Sequence, residues 1–91
     1  GLIVAVCSID AASGKVVSGP DIVSRGFVYV RESEALMDEA RDLVYNTLEE
    51  CVRQHVRDWS SMKQSIKDEL SRFLYQKTRR SPMILPIIME V

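Results

Sequence analysis

The sequence predicts an α+β domain: a small, mainly three-stranded sheet with two antiparallel helices packed on one face. Three observations carry that prediction. Apolar, β-branched runs of strand length stand near the two ends of the chain, Leu2–Ile9 and Met83–Val91. Two long amphipathic stripes with a three-to-four residue period lie between them. The chain has 91 residues, enough for one core and too few for two, so residues 1–91 read as a single domain. It opens at Gly1, directly into a strand-like run, and reads as a fragment of a longer protein.

The elements follow in order. LIVAVCSI, residues 2–9, is the first strand. Asp10 to Lys15 form a turn in which Gly14 is free to take positive φ. Val16–Ser18 pairs back as a short strand, which Gly19-Pro20-Asp21 is expected to break, since Pro20 has no amide donor. A further strand is expected at Phe27–Val30. Ser33 is the expected N-cap of the first helix, whose stripe is Leu36, Met37, Ala40, Leu43, Val44, Leu48, Cys51, Val52 and Val56. Asp58 is expected to cap the second helix, with Ser61 and Gln64 a competing capping-box start. The second stripe is Trp59, Met62, Ile66, Leu70, Phe73 and Leu74. Pro82 stops that helix, and Pro86 marks the last strand as an edge or a bulged strand.

Alternation along the strands does not reveal a polar face. Leu2, Val4 and Val6 oppose Ile3, Ala5, Cys7 and Ile9, while Met83, Leu85, Ile87 and Met89 oppose Ile84, Pro86 and Ile88. Two helices cover one face of such a sheet, and the other would expose more apolar surface than soluble monomers normally tolerate. Either the Gly19–Arg25 segment folds over it, or another protein surface covers it. The candidate interface residues are Ile84 and Ile88 in the last strand with Ile3 and Cys7 in the first.

Composition excludes several functions. Twelve basic and 13 acidic residues give a net charge of −1, which rules out binding of nucleic acid or anionic membrane through bulk charge. No apolar run approaches the roughly 20 residues that span a bilayer, so no membrane partner is expected. Cys7 and Cys51 have no metal-ligand spacing and lie in apolar patterns, which suits buried thiols in a reducing, cytoplasmic setting. The single histidine, His55, falls late in the first helix with no nucleophile tied to it. Phosphate-binding glycine loops are absent. The pairs Glu49-Glu50 and Asp68-Glu69 fall opposite the apolar stripes. No catalytic residue, metal ligand or cofactor is therefore expected in this chain. From Asp58 onward six basic residues meet four acids. Lys63, Lys67, Lys77, Arg79 and Arg80 are the candidate RNA contacts, against the simpler reading of a solvated face with favourable charge at a helix C-terminus.

Ser18 to Ser33 (SGPDIVSRGFVYVRES) and Phe73 to Val91 (FLYQKTRRSPMILPIIMEV) resemble the C-terminal domain of bacterial ribonuclease J. Asp58-Trp59 and the Ile66, Leu70, Phe73 stripe fit as well, so the resemblance covers essentially the whole chain. Ser81 stands where the family often carries a basic residue, which weakens any requirement for a basic cluster there. The resemblance implies a parent of the metallo-β-lactamase class with a β-CASP insertion. Such a parent degrades and matures RNA as an exonuclease and endonuclease, with zinc or another divalent metal in its active site. The family's His-x-His-x-Asp-His type motif has no counterpart here, so no catalytic or metal residue carries over. The domain itself is implied to be a small sheet backed by two helices. Its implied partners are the rest of the parent chain and further copies in a homo-oligomer, which it helps assemble and keep active, with RNA reached through the parent. An RNA-binding module that presents substrate to the parent is the alternative.

Overall fold

The computed structural model describes the backbone over residues 1–26 and 30–91 and the side chains over 1–26 and 34–91. Strand β1 (Leu2–Ile9) lies between β2 (Val16–Arg25) and β3 (Met83–Glu90) in a mixed sheet of order β2-β1-β3. β2 runs antiparallel to β1 and β3 runs parallel to it, with Leu2 opposite Met83 and Ile9 opposite Glu90. Helices α1 (Val30–Arg53) and α2 (Trp59–Thr78) connect β2 to β3 and pack on one face of the sheet, α1 against β2 and α2 against β3. The expected α+β architecture is the one observed.

The central place falls to the strand without proline. Pro20 and Pro86, which cannot donate to a ladder, stand in the two edge strands. The expected break at Gly19-Pro20 does not occur: β2 continues through it to Arg25 as one strand of 10 residues. The ladder absorbs the interruption as a bulge. Val6 pairs with Asp21 and Ser8 with Ser18, leaving Gly19 and Pro20 against Cys7 alone. The Gly19-Pro20 peptide is cis, and Gly19 has φ 86°. A Cβ at Gly19 would lie 2.9 Å from the Val6 carbonyl oxygen, so this close approach requires glycine. The Asp10–Lys15 turn forms as expected. The Asp10 carboxylate accepts from the Ser13 amide and hydroxyl, both at 2.8 Å, and Gly14 adopts φ 75°.

Two element boundaries differ from expectation. α1 begins at Val30, so Ser33 lies within the helix instead of capping it, and Val30 is helical and not the end of a strand. The rest of the expected Phe27–Val30 strand, residues 27–29, lies outside the described residues. Among the α1 stripe residues, Met37, Ala40, Val44, Leu48 and Cys51 are buried, and Leu36 and Leu43 pack against that core. His55 sits beyond the helix end in the left-handed region, φ 57°. Its amide donates to Val52 O at 3.1 Å and that of Val56 donates to Cys51 O at 2.8 Å, the paired bonds of a Schellman motif. Histidine there accepts a conformation that glycine adopts at less cost. The chain turns because this motif satisfies the last carbonyls of α1.

The Asp58 carboxylate accepts the Ser61 amide at 3.0 Å, which makes Asp58 the N-cap and sets aside the competing start at Ser61. Met62, Ile66, Leu70 and Leu74 recur every fourth residue and are buried. Trp59, expected in that stripe, is 41% exposed with Lys63 over its ring, at the first position of the helix and ahead of Met62, the first buried residue of the stripe. Arg79 ends the helix in the left-handed region at φ 59°, its amide bonded to Tyr75 O, three residues before Pro82. Glu39 of α1 pairs with Lys77 of α2 at 3.4 Å, as an antiparallel arrangement requires. Ile3, Ala5, Cys7 and Ile9 of β1, with Ile84 and Ile88 of β3, meet these helices in the core. Full burial of one such aliphatic side chain contributes about 1.5–3 kcal/mol.

Candidate protein-docking face

The sheet face away from the helices is apolar across β1 and β3, and no described element covers it. Across it run four rows set by the strand registers: Arg25–Leu2–Met83, Val23–Val4–Leu85, Asp21–Val6–Ile87 and Ser18–Ser8–Met89. Directly opposed residues point to the same side of a sheet, so each row shares one face. Leu2, Val4 and Val6 are half-buried between their neighbours. Met83 is 72% and Leu85 49% exposed, and Ile87, Met89 and Val23 are exposed with them. The Gly19–Arg25 segment, one of the two expected covers for this face, instead forms part of β2 beside β1.

Ile3, Cys7, Ile84 and Ile88, named from the sequence as interface candidates, all lie on the helix side and are buried. They cannot meet another molecule without opening the core. The candidate docking residues are the alternate set on the same strands. Ser8, the one hydroxyl in β1, marks that outward parity, and it is the signal from which the orientation was legible.

The candidate RNA contacts fall into two groups. Lys63 and Lys67 stand one turn apart early in α2, while Lys77, Arg79 and Arg80 gather at its end, about 20 Å further along the axis. Each group rests on an aromatic ring. The Lys63 ammonium is 5.8 Å from the Trp59 centroid and the Arg79 guanidinium 5.4 Å from that of Tyr75. Lys77 lies 5.8 Å over Phe73 and also pairs with Glu39. The Arg80 amide donates to the Thr78 hydroxyl at 3.2 Å.

The acid pairs lie on the helix surfaces. Glu50 accepts from Arg53 and Gln54, Asp68 from Gln64 at 2.8 Å, and Glu69 from Arg72 at 2.9 Å. The Arg53 and Gln54 bonds hold the Glu50 carboxyl below the usual carboxylate range. Glu50, Arg53, Gln54, Asp68, Glu69 and Arg72 line a groove between α1 and α2, and their hydrogen bonds run along their own helices. Among the described residues, no three of His, Cys, Asp and Glu are placed to hold a metal ion, and His55 is exposed. No helix of the described residues is long and apolar enough to cross a membrane.

Both cysteines are buried free thiols. Burial pushes Cys51 up, partly offset by a hydrogen bond with Ser65. Burial also pushes Cys7 up from 9.0 to about 11. A thiol held protonated in the fold and released on unfolding stabilises fully below its unfolded pKa, and that contribution is lost as pH rises through the folded value. Stability should therefore decline between pH 9 and about 11. Cys7→Ala, although less stable overall, should decline less steeply in that window when urea midpoints are compared across pH. Equal slopes would show that Cys7 does not carry the effect.

The family model of the ribonuclease J C-terminal domain matches residues 1–91. Ribonuclease J2 of Bacillus subtilis is 48% identical over 91 residues, which is 100% of this chain and 16% of that protein. Ribonuclease J 2 of Staphylococcus saprophyticus is 44% identical, and that of Staphylococcus epidermidis 43% identical, each over 100% of this chain and 16% of the relative. The chain thus spans a small part of the length of the relatives it matches. With a whole-length family match and relatives this similar from end to end, the chain belongs to the ribonuclease J C-terminal domain family.

Proposed function

We propose that this chain is the assembly module of a ribonuclease J-like parent: non-catalytic itself, it holds parent chains together and supports their activity through the open face of its sheet. The observation that carries this reading is the exposure of Met83, Leu85, Ile87 and Met89 side by side on one edge strand. Contiguous exposed apolar surface of this kind, on an edge strand that invites further pairing, marks interaction sites. In this reading the parent degrades and matures RNA in the cytoplasm, as exonuclease and endonuclease. Its divalent metal, zinc by the resemblance, is held by residues outside this chain.

A second reading, substrate presentation, is supported by Tyr75, 47% exposed with Arg79 over its ring. An exposed ring beside a cation is a stacking platform for single-stranded bases, and each phosphate contact adds about −0.7 to the salt slope. The separation of the two basic groups and the engagement of Lys77 make it the weaker reading. Tyr75→Ala with Arg79→Ala should weaken low-salt binding of single-stranded RNA if it holds; unchanged binding would remove it.

The assembly reading is tested in the parent enzyme by Leu85→Glu with Ile87→Glu. The mass in solution should fall and ribonuclease activity with it, while circular dichroism of the chain carrying both changes stays that of the folded domain. Unchanged mass and activity in the folded variant would overturn the reading.

A further inference from the structure

We infer that Pro86 closes the outer edge of β3 to a further strand. It stands where a missing amide leaves the native ladder whole and denies an incoming strand its bond. The direction of the backbone groups carries this. The Met83 amide donates to Gly1 O and the Val91 amide to Ile9 O, both at 2.9 Å. Between them the parallel register runs without a shift, from Leu2 opposite Met83 to Ile9 opposite Glu90. Successive residues of a strand turn their N–H and C=O to opposite edges. Met83, Leu85, Ile87, Met89 and Val91 therefore bond to β1, while Ile84, Pro86, Ile88 and Glu90 turn their backbone groups away from it.

No described strand lies beyond β3. With an amide at every position, this edge would present a full row of donors and acceptors beside the exposed apolar side chains Met83, Leu85, Ile87 and Met89. Such an edge is a template for strand addition. Proline at position 86 removes a donor near the middle of the row. Its ring occupies the place of that N–H, so the facing carbonyl of an added strand is left unpaired. The flanking donors, Ile84 and Ile88, are four residues apart, about 13 Å along the strand. At positions 83, 85, 87 or 89 proline would instead remove a bond to β1. The Pro86 ring is buried on the helix side between Ile84 and Ile88, so the core holds it in place.

The most available matching edge is β3 of another copy. Two such strands paired antiparallel, edge to edge, would join two three-stranded sheets into one. In each register that brings their outward groups together, Pro86 enters the ladder twice, and two bonds are lost. The opposite edge of the sheet is built alike. Leu2, Val4 and Val6 turn their backbone groups to Arg25, Val23 and Asp21 of β2, so Ser24 and Ile22 face outward, and Pro20 is next in that alternation. The inference concerns the edges and holds whatever covers the open face, so it is independent of the assembly reading.

The test is amide hydrogen exchange followed by NMR, for the wild-type chain and Pro86→Val, with sedimentation of both over the same concentrations. Valine suits a strand, and its restored amide faces outward, where no bond to β1 depends on it. In the wild type the Ile84 and Ile88 amides should exchange at least about tenfold faster than those of Leu85 and Ile87, at every concentration. Pro86→Val should reach a larger mass than wild type at equal concentration, and its Ile84 and Ile88 amides should slow about tenfold as it does. Pro86→Ala restores the same donor with a smaller side chain and gives the same reading if valine disturbs the core. Wild-type Ile84 and Ile88 amides as slow as those of Leu85 and Ile87 would show the edge already paired and overturn the inference. Folded variants that keep the wild-type mass and fast edge amides would overturn it as well.

Discussion

The packing of β1 against helices on one side only is the constraint on which the rest of the structure depends. Ile3, Ala5, Cys7 and Ile9 are buried against α1 and α2, and they provide the middle of the core. Leu2, Val4 and Val6 are as apolar as the buried set, yet the described residues place no third layer over them. A strand apolar on both faces is ordinary in a sheet covered on both. Among the described residues one cover is built in, and in the proposed reading the other comes from a partner surface.

The same constraint orders the edges. The strand that must make ladders on both sides contains no proline, while each neighbour contains one. In β2 the cost of proline is absorbed by the bulge opposite Cys7 and the close approach at Gly19. In β3, Pro86 faces the helices and is buried, so the outward side chains form an unbroken apolar row. Two left-handed residues, His55 and Arg79, end the helices within a few residues of the next element, which keeps the connections short.

Much of this was legible in the sequence because it depends on local rules. The helical stripes, the Asp58 cap, the Asp10–Lys15 turn and the edge position of the strand bearing Pro86 each follow from a few neighbouring residues. What was not legible depends on distant partners. A Gly-Pro pair reads as a break until a central strand accommodates it as a bulge. Ser33 reads as a cap, but the helix begins three residues earlier. Trp59 fits the apolar period, but at the first turn it is exposed, with Lys63 over its ring. The parity of β1 and β3 is the ambiguity that bears most on the site, since both alternating sets are apolar, and the candidates Ile3, Cys7, Ile84 and Ile88 lie in the set that the helices bury. The basic residues of α2 are separated because spacing along a helix, unlike charge count, is a distance.

The family supplies a larger parent, and the geometry supplies a surface that such a parent can use. The central claim is that Met83 and Met89, on the open face, are covered in the parent, whereas Met37 and Met62 are covered by this chain itself. Methionine oxidation reads both at once, since sulfoxide formation follows access of the oxidant. Dilute peroxide footprinting, with each methionine quantified by mass spectrometry, should oxidise Met83 and Met89 rapidly in the dilute free chain and Met37 and Met62 slowly. In the intact parent enzyme all four should be slow. Oxidation of Met83 and Met89 in the parent as fast as in the free chain would contradict the account.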